Sequence, residues 1–226
     1  MRQLFLALIL ALTGFATPVL AQDISGDYEA KGTFPNGTAY GGAVKIVPLG
    51  EAHAMLWKLD NGPGYQGLAL QKDGVLGAAY ASEGVPFGLV VYRIAGGTLD
   101  GEWISSGDVK AELGHETLQG PTTLGGTYKI TLGQNRDGTT NYTGEVIIKP
   151  YGHTYLVAWM VPKLAYVGRG IRIGDVLVVA YGQGTGPKQR PGVVGYQIED
   201  ADNMVGVWAD AGTEKTGSET LRRRAQ

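Results

Sequence analysis

Apolar and polar residues alternate in short runs along nearly the whole chain. In the first clear run Tyr28 and Ala30 fall on one side and Asp27, Glu29 and Lys31 on the other. A later run repeats this, with Tyr128, Ile130 and Leu132 against Thr127, Lys129 and Thr131. Val44 and Ile46 oppose Lys45, Val90, Tyr92 and Ile94 oppose Arg93, and Val194, Tyr196 and Ile198 oppose Gln197. A period of two with one wet face is the pattern of an antiparallel sheet. Beyond the first 21 residues no stretch of ten or more keeps a period of 3.6, so no helix is expected there. Asn36-Gly37, Asp60-Asn61-Gly62, Asp73-Gly74 and Asp137-Gly138 separate the runs with residues suited to tight hairpin turns.

The runs come in two sets. Gly26-Asp27-Tyr28 matches Gly126-Thr127-Tyr128, and Tyr40 to Ile46 matches Tyr142 to Ile148. Trp57 matches Trp159, Tyr65 matches Tyr166, and Tyr80 matches Tyr181. Val90 to Ile94 matches Val194 to Ile198, and Leu99 to Trp103 matches Met204 to Trp208. Gly114-His115-Glu116-Thr117-Leu118 matches Gly217-Ser218-Glu219-Thr220-Leu221. All four tryptophans and ten of the twelve tyrosines fall in matched pairs, so the chain reads as a duplication. Each copy divides into about eight short strands, starting near residues 26, 40, 53, 64, 75, 88, 99 and 114 in the first. Such a meander closes into a small barrel without a free edge. The expected fold is therefore all-β: a leader at 1–21, one lipocalin- or avidin-like antiparallel barrel at 22–119, and a second at 124–226. A single larger barrel or sandwich shared by both copies is the alternative.

The N-terminus changes what has to be explained. Met1-Arg2-Gln3 is basic, Leu4 to Leu12 is apolar, and Ala16 to Ala21 ends in small residues before Gln22. This is the pattern of a secretory signal peptide cleaved after Ala21, and it implies a periplasmic or secreted protein. The apolar run is far shorter than the roughly 20 residues a spanning helix needs. The outer-membrane barrel reading is disfavoured as well, because the strands are short and their outer faces carry charge. There is no cysteine, so the core must supply the stability. Losing the leader removes one Arg and moves the net charge from −2 to −3, which gives no electrostatic reason to expect nucleic acid. The 37 glycines lack a G-X-Y period and lie between and within the apolar runs, where they serve turns or close approach.

Candidate chemistry is sparse. His53, His115 and His153 lack metal-ligand spacing, and His53 and His153 read as surface turn positions. No Ser-His-Asp pattern repeats, and Gly182 to Pro187 resembles a phosphate loop without the helix that the mechanism requires. Arg222-Arg223-Arg224 reads as a solvated tail. Glu116 shares the parity of Leu118, and Glu219 that of Leu221, so both carboxylates are expected to point inward. There they would need Tyr hydroxyls or Trp N–H groups as donors. A lone carboxylate per copy lacks a partner for acid–base catalysis, so no enzyme and no cofactor or metal is expected. The paired Tyr and Trp residues look sufficient to fill barrels of this size. If a pocket exists, it lies at a barrel end, with Trp57, Trp103, Glu116, Trp159, Trp208 and Glu219 as its ligand-binding candidates. Ile147, Leu156, Met160, Val205 and Val207 give the second copy apolar outward positions, expected to pack on the first copy or mediate self-association.

The matched motifs resemble those of a family of small exported bacterial proteins with one or two such units, often labelled fibronectin-binding. The motifs are Gly-x-Tyr, Tyr-x-Gly-x-Val-x-Ile, Trp, Tyr-x-Gly, Leu-x-Val-x-Tyr, Val-Val-x-Tyr-x-Ile, Leu-x-Gly-x-Trp and Gly-x-Glu-x-Leu, and they cover nearly all of 24–221. The first copy departs at Leu76-Gly77-Ala78 and the second at Gly195. The resemblance implies a non-enzymatic adhesion module for extracellular protein of the fibronectin type or for polysaccharide. A carrier of small apolar ligands is the other expectation.

Overall fold

A computed structural model describes residues 22–107, 112–138, 141–162, 164–183, 191–211 and 213–225, so the leader lies outside the described residues. Sixteen strands and no helix are present among them. The first five are β1 (Gly26–Thr33), β2 (Ala39–Leu49), β3 (Ala52–Leu59), β4 (Gly64–Lys72) and β5 (Val75–Ala81). Next come β6 (Gly88–Ala95), β7 (Thr98–Ser105), β8 (Gly114–Gln119), β9 (Gly126–Gln134), β10 (Glu145–Tyr151), β11 (Thr154–Val161), β12 (Leu164–Ile173) and β13 (Val176–Gly182). The last three are β14 (Gly192–Ile198), β15 (Asn203–Ala209) and β16 (Gly217–Arg223). The turns match their sequences: between β4 and β5, Asp73 and Gly74 both take positive φ, 50° and 76°, as a two-residue type I′ hairpin requires.

All pairings are antiparallel, and the strands form two closed eight-stranded barrels. The barrels do not coincide with the sequence copies. The first barrel runs β1 to β5 and is completed by β14, β15 and β16, with β5 paired to β14 and β16 returning to β1. The second is the unbroken run β6 to β13, closed by β13 on β6. The expected boundaries at 22–119 and 124–226 therefore describe the duplication and not the folding units. Three strands of each copy are exchanged, and the second barrel is inserted whole between β5 and β14 of the first. Either edge of a meander accepts any strand with the right register and pleat, and the duplication supplies two equivalent sets.

The expected faces hold except at Leu132, expected inward with Tyr128 and Ile130 but 45% exposed, because a register shift between Thr117 and Leu118 moves the inward position of β9 on to Gly133. Tyr28, Ala30, Val44, Ile46, Tyr92 and Tyr196 are buried inside the barrels, while Asp27, Glu29, Lys31 and Lys45 are exposed. At one end of each barrel a tyrosine ties down the chain. Tyr28 donates to the carbonyls of Ile24 and Ala201 at 2.7 and 2.9 Å, and Tyr128 to those of Pro121 and Thr123 at 3.2 Å. Burial pushes the Tyr28 hydroxyl up to about 12. Arg223 stacks over Tyr28 and donates to Asp202 at 2.7 Å, so this arginine belongs to the barrel closure and not to a free tail.

A third apolar cluster lies between the barrels, formed by residues such as Leu70, Ala79, Leu89, Val91, Ile171, Val178 and Val193. Strands β5, β6, β13 and β14 are consequently buried on both faces over most of their length. This explains their near-continuous apolar runs. The expected packing between copies exists, but through these strands. Of the outward residues proposed for it, only Val207 joins the cluster; Ile147, Met160 and Val205 are exposed and Leu156 is half-buried. The two departures from the repeat pattern lie at this contact. Gly77 and Gly195 face each other across β5 and β14, and Val91 and Val178 face each other across β6 and β13.

Candidate functional site

At the barrel end opposite Tyr28 and Tyr128 each barrel buries one carboxylate. Glu116 on β8 is 2% exposed and Glu219 on β16 is 4% exposed, as their parity with Leu118 and Leu221 implied. The Oε1 atom of Glu116 accepts from Tyr92 Oη and from Trp159 Nε1 at 3.0 Å, and Oε2 accepts from Tyr142 Oη at 3.0 Å. Glu219 has the matching set. Its Oε1 accepts from Tyr196 Oη and from Trp57 Nε1 at 3.1 Å, and its Oε2 accepts from Tyr40 Oη at 2.8 Å. Each donor is neutral. Burial raises the Glu116 carboxyl above its ordinary value, and the three hydrogen bonds only partly oppose this. Burial, reinforced by the carboxylates, holds Tyr92, Tyr142, Tyr40 and Tyr196 well above the usual phenol value, so they remain donors.

The aromatic rings reach these positions because their neighbours are glycines. A Cβ on Gly101 would collide with the Tyr92 ring and one on Gly206 with Tyr196; Gly114 and Gly217 lie likewise beneath Trp103 and Trp208. In each case ring and glycine face each other across adjacent strands. Much of the unusual glycine content therefore serves close approach of rings within strands, beyond what the turns require.

The strand exchange regroups the six candidate residues. Trp57, Trp208 and Glu219 meet in the first barrel, and Trp103, Glu116 and Trp159 in the second. Each carboxylate thus receives its tryptophan from the other sequence copy, which a reading copy by copy could not supply. Trp103 and Trp208 donate no hydrogen bond to the carboxylates. They line the space above them, and their indole N–H groups have no hydrogen-bond partner. His53 lies within β3, half-buried, instead of in a turn, and burial lowers its pKa. No cluster of metal-ligating residues occurs among the described residues, and most of the Gly182–Pro187 loop falls outside them.

The two ends differ in one respect that the repeat pattern conceals. In the first barrel the space above Glu219 is nearly filled, leaving a cavity of about 70 Å³. In the second it opens to about 420 Å³, lined by Tyr92, Trp103, Tyr142, Trp159, Tyr166 and Tyr181 above Glu116. The difference begins at Phe34. Gly32 and Gly133 occupy matching positions, opposite Glu219 and Glu116 and beneath Tyr40 and Tyr142. Two residues further on, the first barrel has Phe34 and the second Asn135. Phe34 packs on Tyr40 at 4.7 Å and edge-on against Trp208 at 5.9 Å between ring centroids. Asn135 instead borders the open space, and the neighbouring Arg136 stacks on Trp103 at 5.7 Å. Asp210, which accepts from Tyr80 at 2.9 Å in the first barrel, is replaced by Ser105 at the matching place in the second. The paired aromatics thus fill the first barrel as expected but leave the second unfilled. Aligning Phe34-Pro35-Asn36-Gly37 with Asn135-Arg136-Asp137-Gly138 carries this signal in the sequence itself.

No family model matches the chain, and comparison with curated proteins also finds no match. No helix among the described residues is long and apolar enough to cross a membrane.

Proposed function

We propose that this chain is a non-enzymatic binding protein that takes a small, largely apolar molecule into the open end of its second barrel. The supporting observation is the asymmetry of the two ends. The same carboxylate, tyrosines and tryptophans surround about 70 Å³ in one barrel and about 420 Å³ in the other. The larger volume lies within the roughly 300–1,000 Å³ of small-molecule sites, and its walls are aromatic with a few polar groups, as such sites are. The filled end of the first barrel argues that the Glu–Tyr–Tyr–Trp cluster serves to hold each barrel together, leaving the space above it in the second for binding. With both Glu116 oxygens engaged by neutral donors, and no second carboxylate and no histidine among the described residues that line the cavity, binding is favoured over turnover. The leader-like residues 1–21 would place this activity in the periplasm or outside the cell. The cavity favours a carrier over an adhesion module, which would act through outer faces or loops.

Tryptophan fluorescence during titration with small apolar and amphiphilic molecules tests the reading. Saturable quenching is expected, abolished in Asn135→Phe, where a phenyl ring returns to the mouth. Quenching unaffected by that substitution would place the ligand elsewhere and end the proposal.

A further inference from the structure

We infer that the ligand of the second barrel carries an aromatic ring, seated where Phe34 sits in the first. This rests on the cavity reading above and names the ligand class.

The first barrel contains its own occupant. Phe34 lies at the mouth between Tyr40 and Trp208, tilted 44° to one ring and 88° to the other. Such tilted and edge-to-face contacts, at centroid separations of about 4.5–7 Å, are the favoured geometries of aromatic pairs. The second barrel keeps the aromatic residues of that seat. Tyr142 stands for Tyr40, Trp103 for Trp208, Tyr166 for Tyr65 and Tyr181 for Tyr80. The outer wall is conformationally the same in both. Tyr65 and Tyr80 meet at 5.5 Å and 72°, and Tyr166 and Tyr181 at 5.6 Å and 80°. Trp57 lies 6.0 Å from Tyr80 at 52°, and Trp159 lies 5.4 Å from Tyr181 at 50°. At the plug position the phenyl ring gives way to the short amide of Asn135, while Ser105 replaces Asp210 and Arg136 stacks on Trp103. A seat lined by the same residue types as the one that holds Phe34, with its outer wall in the same geometry and that ring lost, suits a ring supplied from outside. The cavity is larger than one ring requires. Val161, Pro162 and Leu164 extend its apolar side, so the ligand has room for a substituent beyond the ring.

The test uses the full chain and two probes of nearly equal size, benzyl alcohol and cyclohexylmethanol, followed by the four indole N–H resonances in ¹H–¹⁵N spectra. In the unaltered protein benzyl alcohol should shift the Trp103 and Trp159 signals saturably, with an affinity at least about fivefold above that of cyclohexylmethanol. Asn135→Phe should abolish these shifts. Phe34→Ala should open the first barrel, so that the Trp57 and Trp208 signals respond as well. Equal affinity for the two probes would overturn the aromatic assignment while leaving the cavity reading intact. Silence of Trp57 and Trp208 in a folded Phe34→Ala protein would overturn the correspondence with Phe34. No shift at Trp103 or Trp159 with either probe would overturn both. The probe comparison and Asn135→Phe decide the matter even if Phe34→Ala does not fold.

Discussion

The indole N–H of Trp159 donates to the carboxylate of Glu116 across 3.0 Å, and these two residues come from different copies of the duplication. Trp57 and Glu219 make the reciprocal contact at 3.1 Å. The copies are therefore fastened to each other twice, at the same place in each barrel, by a bond between a buried carboxylate and a neutral ring.

Removing that acceptor should be costly. Glu116→Ala would leave Tyr92, Tyr142 and Trp159 without an acceptor in a buried site, at about 1–3 kcal/mol for each unsatisfied group. A loss of about 3 kcal/mol or more is expected in urea unfolding, with a smaller loss in Glu116→Gln, which keeps one oxygen acceptor. Equal stability of the alanine variant and the unaltered protein would show that the cluster contributes nothing to closure.

The same carboxyl should leave a mark on the pH dependence. Burial raises its pKa in the folded state above the ordinary 4.5. Between those two values the folded chain holds a proton that the unfolded chain has released, so stability falls as pH rises through the window. Glu116→Gln removes this titration. The stability of the unaltered protein relative to Glu116→Gln should therefore decline from about pH 4.5 upward and then level off. Urea midpoints for both proteins from pH 4 to 8 measure it; a difference that does not vary with pH contradicts the assignment. Asp73, held below its usual value by Arg93, is common to both proteins and cancels.

The contact between barrels is a pair of valines set against a pair of glycines. A Cβ on Gly77 would lie 2.7 Å from Val178 Cγ2 and 2.8 Å from Val91 Cγ2. Gly77→Ala should destabilise by about 1–3 kcal/mol through overpacking. Val178→Ala should recover part of that loss when combined with it, giving a coupling of at least about 0.5 kcal/mol in a double-mutant cycle. Simple additivity would mean that the two faces do not meet there.

Fragments should follow the barrels and not the repeats. Residues 86–183 contain all of β6 to β13 and every pairing of the second barrel, and are expected to unfold cooperatively in denaturant with the near-ultraviolet dichroism of fixed tryptophans. Residues 22–119 hold five strands of one barrel and three of the other, and are expected to be oligomeric or insoluble. A monomeric, cooperatively folded 22–119 fragment would show that β5 pairs with β6 as readily as with β14.

Local pattern alone determined much of this protein. Alternation identified the strands and, apart from Leu132 beyond the irregularity in β9, their faces; Asp73-Gly74 identified its hairpin turn, and the parity of Glu116 with Leu118 the inward carboxylate. Each of these depends on residues one to four positions apart, where pleat and turn geometry leave few choices. Tertiary structure decided the rest. The strands that close each barrel, the tryptophan that meets each carboxylate, and the burial of β5 and β13 on both faces are choices between similar partners, and two copies with the same motif residues offer the same edges twice. The cavity depends on a few residues at the mouth, Phe34 against Asn135 first among them. Phe34 and Asn135 both look like loop residues in the linear chain, and only their position above Glu219 and Glu116 makes one a plug and the other the rim of an open space.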